Sequence, residues 1–401
     1  MATHFHVLVV GGGNAGLSAT AQLLHKDPSV QIGIIEPSAK HYYQPAWTLV
    51  GAGQFDVKDT EKNEQNYIPE GADWIRDAVA TFQPDQNQVT CLSGATYTYD
   101  ALMVVPGIQL DWGKIKGFTE TLGKNKVSSN YSFQTAPYTW ELIRNFKGGV
   151  AVFTNPATPV KCGGAPHKIM YLACDYWRKN GVLDKTDVHY VSGAGAIFAV
   201  KEFAQTLEGL LKRYRIKTHF SQNVTEVDGL NQTIYFEGKD ADGNVQKQSI
   251  QFDMAHITPP QSAPDFIKNS PLADPAQPLG WVEVNKFTFQ HSRFPNIFAC
   301  GDVSNAPTSK TGAAIRKQAP VMVEHILAYL HKTQSSAQYD GYTACPIPTE
   351  YGKLMLAEFD YSNKPKMTFP FDQAVPCWTM WLLKKYLLPW LYWHRILTGK
   401  A

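Results

Sequence analysis

Short apolar runs alternate with helix-length stretches at the start of the chain. Residues 6–10 (HVLVV) run into a cluster of glycines, a helix-like stretch follows to about residue 26, and a second apolar run at residues 31–35 ends at Glu36. Short apolar runs bounded by glycine and polar residues are typical of buried strands in a parallel sheet. The pattern therefore predicts a strand, a helix and a second strand, the opening unit of an α/β fold.

The glycine cluster has the G-x-G-x-x-G spacing of a dinucleotide-binding turn. Its glycines let the backbone approach a pyrophosphate at the helix N-terminus, and an acidic residue after the second strand can bind a ribose hydroxyl. Strand, glycines, helix, strand and acid occur here in the required order. The residues expected at the dinucleotide are Gly11, Gly13, Asn14, Ala15, Gly16 and Glu36.

A second turn of this kind occurs at residues 188–198 (VHYVSGAGAIF). Gly193 and Gly195 are present, but the third glycine position holds Phe198. A bulky ring there would block close packing of helix on strand and crowd a pyrophosphate. We predict a second Rossmann-like domain that lacks an NAD(P)H site.

Two of the six cysteines have unusual neighbours. Cys162, in PVKCGGAP, follows Lys161 and precedes a helix predicted over about residues 165–179, and a helix N-terminus and a cation both favour the thiolate. Cys345 precedes Pro346, which predicts an extended loop able to reach a distant partner. The other four are expected to be packed or passive thiols: Cys91, Cys174, Cys300 and Cys377.

The last 24 residues, 378–401, have the composition of a membrane interface. They hold four of the ten tryptophans and four basic residues but no acid. Lys384, Lys385 and Pro389 interrupt the apolar stretches, which are shorter than the roughly 20 residues that span a bilayer. We predict an amphipathic membrane-binding segment, with a hairpin packed on the protein or at a dimer interface as the alternative.

Composition adds few constraints. A chain of 401 residues with 44% hydrophobic content should form two or three domains, and a net charge of +2 gives no reason to expect nucleic acid. No C-x-x-C pair or histidine cluster predicts a metal site. No signal or transit peptide is predicted, so we expect a peripheral protein on the cytoplasmic face of a membrane, where a cysteine bridge would be catalytic rather than structural.

Several longer motifs resemble those of the sulfide:quinone oxidoreductases, and they run through nearly the whole chain. Residues 293–302 (RFPNIFACGD) are similar to the strand and Gly-Asp segment of flavoproteins with two dinucleotide-binding domains. The other matching segments are residues 41–45 (HYYQP), 47–53 (WTLVGAG), 107–111 (GIQLD), 159–172 (PVKCGGAPHKIMYL), 256–260 (HITPP), 307–311 (PTSKT), 339–346 (YDGYTACP) and 356–361 (LAEFDY).

The resemblance implies FAD as the cofactor. It is expected to be noncovalent, because residues 92–161 hold no cysteine that could attach it. Lys317 would lie near the flavin and stabilise its reduced form, or be a solvated surface lysine. The further cofactor residues that the resemblance implies are Gln44, Val79, Gly107, Asp302, Gly312, Lys317 and Gln318.

The resemblance also implies the chemistry. Cys162 and Cys345 would be a redox pair: hydrosulfide attacks Cys345, leaves a persulfide there, and releases Cys162 as the thiolate that reduces the flavin. Glutathione, coenzyme A, sulfite or another sulfide would remove the sulfur. Electrons would pass to ubiquinone or menaquinone, for which the lining residues expected are Phe359, Phe371 and Tyr386.

The predicted organisation is discontinuous. Residues 1–110 and 281–345 would form the FAD domain, 111–280 the second Rossmann-like domain, and 346–401 the quinone and membrane segment. Two alternatives stay open: a type II NADH:quinone oxidoreductase, and a flavin-bearing redox sensor without turnover. A homodimer also stays open.

Overall fold

The computed structural model describes residues 2–240 and 242–401. The strands are β1 (Thr3–Val10), β2 (Ile32–Ile35), β3 (Lys40–Tyr42), β4 (Glu61–Asn63), β5 (Ala72–Ile75), β6 (Val79–Gln83), β7 (Gln88–Cys91), β8 (Thr96–Val104), β9 (Gln109–Leu110), β10 (Val127–Ser128), β11 (Gly149–Asn155), β12 (Thr186–Ser192), β13 (Lys217–Phe220), β14 (Gln222–Asp228), β15 (Thr233–Lys239), β16 (Val245–Gln251), β17 (Met254–His256), β18 (Gln261–Ser262), β19 (Ile297–Phe298), β20 (Thr343–Glu350) and β21 (Lys353–Phe359).

The helices are α1 (Asn14–Lys26), α2 (Trp47–Val50), α3 (Phe118–Thr121), α4 (Ala136–Asn145), α5 (Ala165–Lys179), α6 (Lys201–Arg213), α7 (Asp265–Lys268), α8 (Gly312–Leu330), α9 (Trp378–Leu382) and α10 (Leu388–Leu391). Wider π-helical turns at Leu383–Leu387 and Tyr392–Ile396 extend the last two.

The first sheet has the strand order β5-β2-β1-β8-β7-β6, with β19 added beside β8. The strands β5, β2, β1, β8 and β19 pair in parallel, and every residue of β2 is buried, as its continuous apolar sequence predicts. The predicted unit of strand, helix and strand is therefore confirmed. β19 is only two residues long, shorter than the apolar sequence around it suggests.

The second sheet has the order β10-β17-β11-β12-β13 and is parallel throughout. Its strands come from residues 127–256, while those of the first sheet come from residues 3–104 and 297–298. A two-stranded ribbon, β9 with β18, pairs the segments that connect the two sheets. The α/β fold with two Rossmann-like sheets is the class that the sequence predicts.

The C-terminal segment, residues 378–401, has an inner and an outer side. Trp381, Tyr392, Trp393 and Leu397 are buried in the same core as the first sheet. The outer side, here called the exposed tail face, comprises Trp378, Tyr386, Leu387 and Trp390, whose exposed fractions are 61%, 61%, 47% and 52%. None of the described helices is both long and apolar enough to cross a bilayer.

Candidate thiol and cofactor site

Cys162 and Cys345, 183 residues apart in sequence, lie next to each other. Their Sγ atoms are 3.1 Å apart and both are free thiols. Cys162 lies in the turn before α5 with a φ of +58°, and its N–H donates to the Lys310 carbonyl at 2.6 Å. Residues other than glycine rarely adopt a positive φ, so the contacts around this turn must hold Cys162 in its conformation.

Cys345 is in a strand, so the expected loop is wrong. It belongs to β20 and pairs with Ala357 of β21. Pro346 is compatible with this position because the hairpin is a sheet of only two strands, where one side of each strand needs no partner. The extended conformation that the proline predicts is present.

Gly164 gives the Cys345 sulfur its space. A β-carbon at this position would come within 2.5 Å of Cys345 Sγ and 3.2 Å of Ile347. Only glycine therefore allows the first turn of α5, a helix of 15 residues, to approach the thiol pair so closely.

Lys168, which the sequence reasoning missed, is the cation at the sulfur. Its side chain is 3% exposed and its Nζ donates to Cys162 Sγ at 2.9 Å. Lys161, the sequence neighbour, instead directs its Nζ to Gln44 Oε1 and lies 5.6 Å from the Trp47 ring centroid. The sequence does contain a sign of this role, because Lys168 lies three and four residues before Tyr171 and Leu172, on the buried face of α5.

The two thiols differ in acidity. The hydrogen bond from Cys345 and the charge and hydrogen bond of Lys168 lower the pKa of Cys162, although burial opposes them. The same hydrogen bond, together with burial, raises the pKa of Cys345. Burial alone would lower the pKa of Lys168, but the neighbouring sulfurs raise it overall, so this lysine stays charged. The arrangement stabilises a thiolate at Cys162 and a thiol at Cys345.

A lysine of the C-terminal segment also faces this site. Lys384 is 5% exposed and donates to the Pro45 carbonyl at 3.1 Å. Burial first, and then the charge of Lys168, lowers the pKa of Lys384 to about 7, while the two cysteine sulfurs act to raise it. Part of the segment predicted for the membrane therefore contributes to the electrostatics of the thiol pair.

The predicted glycine turn forms a backbone cradle at the start of α1. A β-carbon at Gly16 would lie 1.9 Å from the Gly11 carbonyl oxygen, and one at Gly11 would lie 2.6 Å from the Val105 carbonyl oxygen. Gly13 has open space where its side chain would be, and Asn14 Oδ1 is buried without a hydrogen-bond partner. A closely packed turn with open space above it fits a dinucleotide pyrophosphate.

Glu36 lies beside this cradle at the end of β2. Its Oε2 accepts from Gly12 N–H at 2.8 Å and its Oε1 accepts from Ser38 N–H at 2.7 Å. Burial raises its pKa, while these two hydrogen bonds act to lower it. Each carboxylate oxygen keeps acceptor capacity for a ribose hydroxyl.

The segment from residue 301 to α8 forms the opposite side of the cradle. Gln318 Oε1 accepts from Gly301 N–H at 2.9 Å. Lys310 Nζ donates to the carbonyls of Asp302 and Ser304 at 2.6 and 2.9 Å. Burial raises the pKa of Asp302, and Lys310 acts against that.

The start of α8 comes close to the start of α1. The position of a β-carbon on Gly312 is 3.5 Å from Asn14 Nδ2, so the two helix N-termini converge on one space. Gly107 has a φ of +81° and nothing within 4 Å of its β position. These residues fit FAD. Lys317, in contrast, is exposed, as a solvated surface lysine would be, and Val79 is buried at the start of β6.

The second glycine turn differs from the first in its helix. α6 begins only at Lys201, so the turn at Gly193 and Gly195 does not lie at a helix N-terminus. A β-carbon at Gly193 would come within 2.3 Å of Ala157 N, and Phe198 packs against Phe359 with ring centroids 5.8 Å apart. This turn lacks the arrangement that binds a pyrophosphate.

The three residues expected at the quinone have separate surroundings. Phe359 ends β21 and is 8% exposed, whereas Phe371 stacks on Phe369 at 5.4 Å. Tyr386 belongs to the exposed tail face, with Lys385 Nζ 5.5 Å from its ring centroid. In the described part of the chain, no aromatic ring pair joins any two of the three.

The sequence is similar to a known protein family and to named members of it. A family model described as pyridine nucleotide-disulphide oxidoreductase matches residues 5–324. Proteins named sulfide:quinone oxidoreductase, mitochondrial, are 44% identical in Dictyostelium discoideum, covering 98% of this chain and 86% of the relative, and 42% identical in Mus musculus, covering 99% and 87%.

The fold has a counterpart among solved structures. The sulfide:quinone oxidoreductase of Aquifex aeolicus superposes with a TM-score of 0.80 at 19% identity, covering 99% of this chain and 92% of that one. The chain thus belongs to the sulfide:quinone oxidoreductases, FAD-dependent enzymes of the pyridine nucleotide-disulphide oxidoreductase family.

Proposed function

We propose that the chain oxidises hydrogen sulfide to sulfane sulfur and transfers the electron pair through FAD to a membrane quinone. The observation that carries this proposal is the thiol pair: Cys162 and Cys345 lie 3.1 Å apart, and Lys168 donates to Cys162 at 2.9 Å. An oxidised pair would be a target for hydrosulfide, and the reduced pair can return to the bridge by losing two electrons.

The difference in acidity supports attack at Cys345. Hydrosulfide forms a bond to Cys345 Sγ, the bridge breaks, and Cys162 leaves as the thiolate that Lys168 stabilises. The Cys162 thiolate is then the group from which FAD, when bound, would receive the electron pair destined for the quinone. A thiolate or sulfite acceptor takes the outer sulfur from the Cys345 persulfide, and the Cys345 thiolate so released re-forms the bridge with the Cys162 sulfur that gave up the electron pair. The acceptor stays open among glutathione, coenzyme A, sulfite and another sulfide.

The exposed tail face supports access from a membrane. It combines two exposed tryptophans with Tyr386 and Leu387, and basic residues lie on the same segment. Aromatic and aliphatic side chains of this kind insert at headgroup level, where lipid-soluble ubiquinone or menaquinone is available. We propose Phe359, Phe371 and Tyr386 as residues along the route to the flavin.

Anaerobic titration tests the reaction. Sulfide should bleach the flavin of the purified protein, a quinone should restore it, and mass spectrometry of Cys345 peptides should find an added sulfur. NADH should not bleach the flavin, because the second glycine turn does not lie at a helix N-terminus. Rapid bleaching by NADH, or none by sulfide, would overturn the proposal.

We expect two carboxylates to govern cofactor retention. Glu36→Ala removes the carboxylate acceptor beside Gly12, and Asp302→Ala removes the carboxylate in the segment that leads to α8. Both variants should purify with less than about half of the wild-type flavin. Flavin absorbance per protein measures this. Glu226→Ala, an exposed ion-pair variant in β14, is the control, and full flavin content in both test variants would remove the two assignments.

We expect substitutions on the exposed tail face to weaken membrane binding. Trp378→Ser with Trp390→Ser should reduce binding to anionic liposomes by about tenfold or more, because two interfacial rings are lost. Added salt should weaken wild-type binding only in part, since charge attraction is screened and apolar insertion is not.

The control replaces two apolar residues elsewhere that are more exposed than the tryptophans, Leu92→Ser with Leu230→Ser, whose exposed fractions are 73% and 86%. Equal liposome binding by the tryptophan variant and this control would mean that the exposed tail face does not bind lipid.

A further inference from the structure

A buried chain of polar contacts joins the C-terminal segment to the FAD domain. Tyr392 Oη and His41 Nε2 are 2.6 Å apart, and His41 Nδ1 and Glu64 Oε2 are 2.9 Å apart. The three residues are 6%, 4% and 2% exposed. His41 and Tyr392 are 351 residues apart in sequence, so their contact forms only when the C-terminal segment folds against the FAD domain.

Aromatic packing holds Tyr392 in this position. Its ring centroid is 4.7 Å from that of Tyr43, and Trp393 lies 5.0 Å from Tyr67 and 5.6 Å from His41. These rings exclude water from the polar contacts, so a lost partner would not be replaced by solvent.

Glu64 lies directly against the glycine turn. A β-carbon at Gly12 would come 2.7 Å from Glu64 Oε1, as close as it would come to Glu36 Cγ. Glu64 Oε1 is buried and has no hydrogen-bond partner in the described structure. A carboxyl group so near the pyrophosphate position must be held in place so that it does not crowd the phosphates, and His41 is in contact with its other oxygen.

We propose that the C-terminal segment sets the affinity for FAD, with Tyr392 orienting His41 and His41 holding Glu64 beneath the glycine turn. Loss of the Tyr392 hydroxyl frees the imidazole to rotate, leaves Glu64 without its fixed partner, and weakens the hold of the turn on the pyrophosphate. The same segment carries the exposed tail face, so membrane docking and cofactor retention share one structural element.

The proposal also requires the reciprocal effect. If a docked segment favours FAD, bound FAD must favour the docked segment by the same factor. It follows that deletion of residues 378–401 would remove buried groups and release cofactor, which makes deletion an unsuitable test of membrane binding alone.

Tyr392→Phe is the test, with Tyr214→Phe as a matched control. Tyr214 is also buried, and its hydroxyl donates to the Thr349 carbonyl at 3.2 Å, in contact with neither the turn nor the tail. Flavin fluorescence after dilution of the holoprotein gives the release rate. We expect release about tenfold faster in Tyr392→Phe and unchanged in the control.

Heating separates a positioning role from a merely structural one. Tyr392→Phe should release flavin at a temperature below its unfolding midpoint by circular dichroism, whereas a general loss of stability would lower both temperatures together. Release within twofold of wild type, or a parallel fall of both midpoints, overturns the proposal. Neither readout uses sulfide or quinone, so failure here is distinct from failure of the proposed reaction.

The wild-type protein provides a second measurement should the variant fail to fold. Lys384 is buried and lies eight residues before Tyr392, so trypsin can cleave after it only when the segment undocks. Protein with FAD should be cleaved several-fold more slowly than protein from which FAD has been removed. Equal cleavage rates overturn the proposal.

Discussion

Replacing Cys162 or Cys345 with serine is expected to reduce sulfide-dependent quinone reduction by at least about a thousandfold while FAD stays bound. The two sulfurs are 3.1 Å apart, and neither a bridge nor a persulfide relay can form when one of them is oxygen. Both variants should keep the wild-type flavin content, because the glycine turn and Glu36 are formed by other parts of the chain.

Cys377→Ser is the matched control, since that thiol is half-buried and its side-chain hydrogen bond in the described structure is to Thr379, away from the thiol pair. Stopped-flow reduction of the flavin by sulfide measures the first half of the reaction. Rapid flavin reduction in both Cys162→Ser and Cys345→Ser would contradict a paired thiol mechanism.

The local pattern around the dinucleotide turn was sufficient to predict its structure. β1, α1 and β2 follow from apolar runs, glycines and an acid that lie within 36 residues, and their bounds differ from the sequence expectation by only a few residues. The helix after Cys162 is equally local: the expected range, about residues 165–179, is the range of α5. Such elements depend on neighbours in sequence.

What could not be predicted depends on distant pairing. The sequence around Cys345 predicts a loop, because the pairing of Cys345 with Ala357 exists only when β20 meets β21. The composition of the tail cannot reveal that Trp378 faces outward while Trp381 is buried. Sequence adjacency favours Lys161 as the partner of Cys162, although the direction of the side chains places Lys168 at the sulfur.

The second large effect is expected from Lys168→Met. Methionine keeps much of the volume of this buried side chain but removes the charge 2.9 Å from Cys162 Sγ. The Cys162 pKa, which Lys168 helps to lower, should rise, and each unit of that rise reduces the thiolate fraction tenfold at a pH below the new pKa. Alkylation of the reduced protein by iodoacetamide at neutral pH should slow by at least about tenfold.

The sign of the pH dependence follows from the same shift. Wild-type alkylation should change little as pH rises through neutrality, because the lowered pKa of Cys162 favours the thiolate, whereas the Lys168→Met rate should climb with pH as its thiol ionises. Lys161→Gln is the control that separates the two lysines, since its Nζ contacts Gln44 rather than sulfur. A steep pH profile in Lys161→Gln with a flat one in Lys168→Met would show that the sequence neighbour, and not the buried lysine of α5, stabilises the thiolate.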